Sequence, residues 1–129
     1  MFEEFARKFK NMYIDFAEGH PLRFDEECFS YFGKKIKTLY IDFDIDENVS
    51  FEENHWSYKD DLFQISYEKN YTLDIGWYPD HNPKGSFKIV VIKDYDWDKP
   101  VLMKRCKKVK TLVKYLEKFI AYVQKEIAD

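Results

Sequence analysis

From Ile36 to Lys93 apolar side chains recur at every second position, and this period limits the possible folds more than any other feature of the chain. Alternate residues of a strand point to opposite faces, so the spacing predicts half-buried β-structure. Leu39, Ile41, Phe43 and Ile45 alternate with Thr38, Tyr40, Asp42 and Asp44. Phe63, Ile65 and Tyr67 alternate with Gln64, Ser66 and Glu68, and Tyr71, Leu73, Ile75 and Trp77 continue the pattern. Between these two runs, Lys69-Asn70 suits a tight turn because Asn tolerates positive φ. Phe87–Lys93 holds Val90, Val91 and Ile92 in succession, which predicts a strand covered on both sides. Ser50–Tyr58 reads as a further strand with mixed faces, and Val101–Met103 as a short one. Residues 79–85 and 94–100, PDHNPKG and DYDWDKP, are dense in turn formers.

Both flanks change to a helical period. Phe2, Phe5, Ala6, Phe9, Met12, Tyr13 and Phe16 lie on one helical face, and Gly19 and Pro21 provide a stop, which predicts a helix over 2–18. Val109, Leu112, Val113, Leu116, Phe119, Ile120, Val123 and Ile127 predict a longer one over 107–127. The expected fold class is therefore α+β. We expect a single domain, residues 1–129, with an antiparallel sheet of five or six strands and an N-terminal and a long C-terminal helix packed on it. A chain of this length buries enough surface for one core without staples.

Charge is nearly balanced overall but unevenly spread. From Ile41 to Asp61 eight carboxylates face the single cation Lys59, whereas from Lys99 to Lys118 eight cations face Glu117 alone. The molecule should be polar in its field unless the two regions neutralise each other across the fold. Cys28 and Cys106 are too few and too far apart for a disulfide framework, and they read as free thiols. The N-terminal stretch MFEEFARKFKNMY lacks the apolar core of a signal peptide, and no window is long and apolar enough to span a bilayer. The expectation is a cytoplasmic protein with no membrane partner.

Catalytic signatures are absent. There is no GxSxG, P-loop, GxGxxG or HExxH, and neither cysteine carries a local nucleophile pattern. His20, His55 and His81 share no metal-binding spacing. Asp42, Asp44, Asp46 and Glu53 match positions one, three, five and twelve of a calcium loop. However, Glu47 stands where the loop requires glycine, and the flanks read as strands, not helices. Asp94, Asp96 and Asp98 fit less well still, with Arg105 at position twelve. Adjacent carboxylates such as Glu52 and Glu53 would diverge on a strand. We therefore expect no enzyme, no cofactor, no metal and no small-molecule substrate.

What stands out instead is aromatic residues set among acids. Trp56 and Tyr58 lie between Glu52, Glu53, Asp60 and Asp61, and Trp97 lies between Asp96 and Asp98. Trp and Tyr anchor protein interfaces, and surrounding carboxylates accelerate encounter with a basic partner. The same aromatics would also serve as core edges, the reading favoured for Trp77. The expected partner-binding residues are Asp44, Asp46, Glu52, Glu53, Trp56, Tyr58, Asp60, Asp61, Asp96 and Trp97. An alternative is a nucleic-acid or ribosome-associated module using the basic 104–118 face, although its aromatics, Tyr115 and Phe119, belong to the core stripe.

Residues 75–120 carry a GWYP strand end at Gly76–Pro79, a PxG turn at Pro83–Gly85, the apolar strand, the Asp96–Pro100 loop and an amphipathic helix. This stretch resembles small immunity proteins of bacterial polymorphic-toxin and contact-dependent growth-inhibition systems. The resemblance implies a cytoplasmic antitoxin that binds and blocks a cognate toxin domain, many of which are nucleases with basic clefts. It transfers no contact residue, because such families vary most at the interface.

Overall fold

The computed structural model describes residues 12–16 and 28–129. Six antiparallel strands form a meander in which each strand pairs with the next in sequence: β1 (Met12–Asp15), β2 (Ile36–Ile41), β3 (Phe63–Tyr67), β4 (Tyr71–Tyr78), β5 (Ser86–Lys93) and β6 (Leu102–Cys106). Between β2 and β3 lies a helical turn, α1 (Phe51–Asn54), continued by a 3-10 turn, His55–Ser57. The chain ends in the long helix α2 (Val109–Ile127), which packs on β4, β5 and β6. The fold is thus α+β, with an antiparallel sheet and a long C-terminal helix.

Strand register divides the sheet into two unlike faces. One carries Leu39, Ile65, Leu73 and Val91 in one row and Ile41, Phe63, Ile75 and Ile89 in the next. These side chains are almost wholly buried and form one core with Val109, Leu112, Leu116, Phe119, Val123 and Ile127 of α2. The other face carries a row of Tyr13, Tyr40, Gln64, Asp74 and Val90. On β5, Val90, Val91 and Ile92 are all buried, as the unbroken apolar run predicts for a strand covered on both sides.

Local chemistry explains the joints. Lys69 and Asn70 both adopt φ of 61° and close the β3–β4 hairpin. Gly33, at φ 91°, lies so close to Gln124 that a Cβ there would sit 2.3 Å from the Gln124 side chain. That side chain accepts from the Lys34 N–H (2.7 Å) and donates to the Lys34 carbonyl (3.0 Å), tying α2 to the start of β2. Lys35 Nζ donates to the Ile127 carbonyl at 3.0 Å, a cation at the negative end of the helix.

Three expectations change. Met12–Asp15 is a strand paired with β2, not part of a helix, because its register with Ile41 to Thr38 satisfies the backbone of a sheet edge. The rest of the helix expected over 2–18, apart from Phe16, lies outside the described residues. Within Ser50–Tyr58, residues 51–57 are helical, not a strand. Ser50 accepts the Glu53 N–H at 3.3 Å, and the pair stands at the S-x-x-E spacing of a helix start. Finally, β2 ends at Ile41, and 42–50 leaves the sheet as a loop.

Candidate functional site

The acidic segment divides into carboxylates with structural partners and carboxylates left to solvent. Asp42 pairs with Lys59. Asp46 Oδ1 accepts the Asn48 N–H at 2.9 Å and shapes its own turn. Glu47 reaches the start of α2, where Oε2 accepts the Val109 N–H at 3.2 Å. This is a helix end with no acid in its first turn and no cap from Lys108. Asp44 is half-buried. Glu52, Glu53, Asp60 and Asp61 are exposed and make no ion pair among the described residues. Mutual neutralisation of the acidic and basic regions is therefore not what the described residues show.

Trp56 lies on the 3-10 turn, between these two pairs of exposed carboxylates along the chain. Phe51 and Tyr58 turn inward from α1 and the 3-10 turn, with rings 4.5 Å apart, and Tyr58 packs edge-on to Trp77 at 4.8 Å. Tyr58 is only 8% exposed and Trp77 3%, so Tyr58 is a core residue and not the outward anchor expected from its neighbours. Trp56 points the other way and is 69% exposed. It is held against His55 (4.5 Å) and His81 (4.7 Å), and His81 Nδ1 meets the His55 carbonyl at 3.1 Å. The His81 N–H also bonds the Tyr58 carbonyl, so the loop after β4 and the 3-10 turn are stitched together beneath the tryptophan.

Trp97 and Asp96 belong elsewhere. Their loop docks on the β3–β4 turn, where the Asp94 N–H donates to the Asn70 carbonyl at 2.9 Å and the Tyr95 hydroxyl meets Asn70 Oδ1 at 3.3 Å. Trp56 lies by the opposite end of β4. Eight residues of strand put roughly 25 Å between the two ends. The ten expected residues therefore do not make one surface. Glu52, Glu53, Trp56, Asp60 and Asp61 cluster at one pole, whereas Asp96 and the half-exposed Trp97 mark the other.

Next to the first pole is a hollow that the linear sequence does not reveal. Residues 59–62 continue to bond β4, through Leu62 N–H to the Ile75 carbonyl (3.1 Å) and Trp77 N–H to the Lys59 carbonyl (2.8 Å). Between those bonds Asp60 and Asp61 bulge over Gly76, where a Cβ would lie 2.1 Å from the Asp60 carbonyl oxygen. Only glycine admits this crossing. The bulge walls a cavity of about 330 Å³ lined by Tyr13, Tyr40, Asp61, Phe63, Gln64 and Asp74. Gln64 Nε2 donates to Asp74 Oδ2 at 2.9 Å. Burial, more than the Gln64 bond can offset, raises the Asp74 carboxyl to about 6, with Asp61 and Asp60 adding to the rise. Burial and the same carboxylates push Tyr78 up to about 12, and burial with Asp42, Asp61 and Asp60 raises Tyr40. Lys88, whose charge partly offsets the rise at Asp74, has its Nζ 5.6 Å from the centre of the Tyr78 ring.

The basic side chains line β6 and the outer face of α2. Arg105 is engaged by the Ser86 hydroxyl (3.0 Å) and the Tyr78 carbonyl (3.2 Å), while Lys104, Lys107, Lys108, Lys110, Lys114 and Lys118 are exposed. Among the described residues no three His, Cys, Asp or Glu side chains converge as a metal set, and no helix is long and apolar enough to cross a membrane. No protein-family model, curated protein or solved structure matches the chain.

Proposed function

We propose that the protein is an immunity protein: a non-catalytic, stoichiometric inhibitor of a basic toxin domain, of which a nuclease is the leading type. The observation that carries this reading is Trp56, exposed at the same end of the sheet as Glu52, Glu53, Asp60 and Asp61, carboxylates that make no ion pair among the described residues. A large rigid aromatic at the same end as these like charges suits a docking point for a positively charged protein, because the ring supplies buried area and the carboxylates steer the encounter. Carboxylates also mimic the phosphates that a nuclease cleft is built to hold. The resemblance of residues 75–120 to immunity proteins points the same way.

Co-expression with the toxin domain encoded immediately upstream tests the reading. A one-to-one complex that silences the toxin is expected. Trp56→Ala should weaken that complex by about 2 kcal/mol, roughly thirtyfold, if the residue is central. A toxin domain that stays active and unbound at micromolar protein would refute the proposal.

A second reading draws on the exposed lysines of the 104–118 face. A nucleic-acid-binding module of that kind would shift RNA in a salt-dependent manner and lose the shift on Lys107→Glu with Lys108→Glu. Absence of a shift at low salt removes it.

A further inference from the structure

We infer that the hollow between β1 and β4 is a receptor for a guanidinium group, the side chain of one arginine of the bound protein partner. The inference deepens the proposed function and rests on it. At about 330 Å³ the cavity lies at the small end of ligand sites, which suits a single side chain. Its lining is mixed in a way that selects chemistry: the rings of Tyr13 and Tyr40, the amide of Gln64 and the carboxylates of Asp61 and Asp74.

Among the described residues Asp74 makes no ion pair, although the charge of Lys88 acts on it, and its hydrogen bond is to the neutral Gln64 amide. With Nε2 of Gln64 committed to Asp74, a planar donor entering the hollow could use Oε1 of the same amide as an acceptor. A cation placed there would find aromatic faces and fixed acceptors together. Guanidinium matches both, because it stacks on aromatic rings and offers parallel N–H donors to a carboxylate. Ammonium is a compact point charge and gains less from the flat lining. The Asp60–Asp61 bulge over Gly76 places Asp61 both in the lining of the hollow and among the exposed carboxylates of that pole. A partner that engages the Asp61 carboxylate would therefore have this cavity within the same footprint.

The test uses the full chain, isotope-labelled, titrated with N-acetyl-arginine amide and, in parallel, with the lysine and norleucine analogues. Amide shifts are expected at residues 13, 40, 64 and 74, with arginine binding several-fold tighter than lysine and norleucine not binding. Asp74→Asn should lower arginine affinity at least tenfold while the spectrum elsewhere stays that of the folded protein. Tyr40→Phe, which keeps the ring, should lower it less. No shift at tens of millimolar, equal shifts with norleucine, or an Asp74→Asn protein that binds as before each overturns the inference. Specific binding of the analogue with a toxin affinity unmoved by Asp74→Asn removes the arginine from the interface and leaves the immunity reading standing. Specific binding of the analogue by a protein that captures no toxin domain refutes that reading and leaves a site for a free guanidino compound.

Discussion

Asp74 is the residue whose chemistry is least at rest. Its carboxyl sits at about 6 instead of 3.8, chiefly because burial disfavours the charged form. The folded protein keeps this proton at pH values where the unfolded chain has already lost it. Stability should therefore fall as pH rises from about 4 to about 6 and stay lower above that range. The displacement corresponds to at most about 3 kcal/mol. Asp74→Asn keeps the shape and an acceptor for Gln64 but carries no charge. It should be more stable than the parent by about 1–3 kcal/mol at pH 8, with the gap closing toward pH 4. Urea unfolding at the two pH values checks this, and an equal gap at both would place the effect outside ionisation. A carboxylate that weakens the fold at neutral pH is what a binding residue often looks like. The alternation of β4 puts Asp74 on the polar face, but nothing in the sequence tells that it will be mostly buried there. That depends on Asp61 and Gln64, brought beside it by strand register and by the bulge over Gly76.

At the scale of elements, legibility followed the strength of the period. The α2 stripe from Val109 to Ile127 and the β3–β4 hairpin through Lys69-Asn70 could be read directly, because many residues agreed on one period or one turn. Met12–Asp15 misled because Met12 and Tyr13 also fit a helical face, and pairing with β2, a tertiary effect, decides their state. Ser50–Tyr58 misled because its aromatics look like strand formers, although Ser50 and Glu53 already stood at a helix-start spacing. The link between the acidic loop and α2 was invisible, since sixty-two positions separate Glu47 from Val109. Yet Glu47 supplies the cap and the negative charge that a helix preceded by Lys107-Lys108 lacks. Glu47→Ala should cost about 0.5–2 kcal/mol in thermal or urea unfolding, and Glu47→Gln, which keeps an acceptor, should cost less. Equal losses would mean that charge contributes nothing at that end.

At the scale of the molecule, the described residues keep the separation of charge after folding. Glu52, Glu53, Asp60 and Asp61 are open at one pole, and the lysines of β6 and α2 are open along another side. The fold class was legible from period alone. The coherence of the expected site was not, because distance along the chain says nothing of which end of a sheet a loop occupies. Asp60→Lys with Asp61→Lys should slow association with a basic toxin domain by about tenfold or more at low salt while leaving the unfolding midpoint little changed. An on-rate that stays constant, or that fails to converge with the parent's as salt is raised, would move the interface away from these carboxylates.

The three indoles sample three environments: Trp77 sealed at 3% exposure, Trp97 half open at 50%, and Trp56 nearly bare at 69% between two imidazoles. The native protein thus carries its own optical gauge. Trp56 should dominate the red edge of the emission band. A ligand that covers this pole should shift the band to the blue and shield it from iodide, a change that Trp56→Phe would abolish and Trp97→Phe would spare.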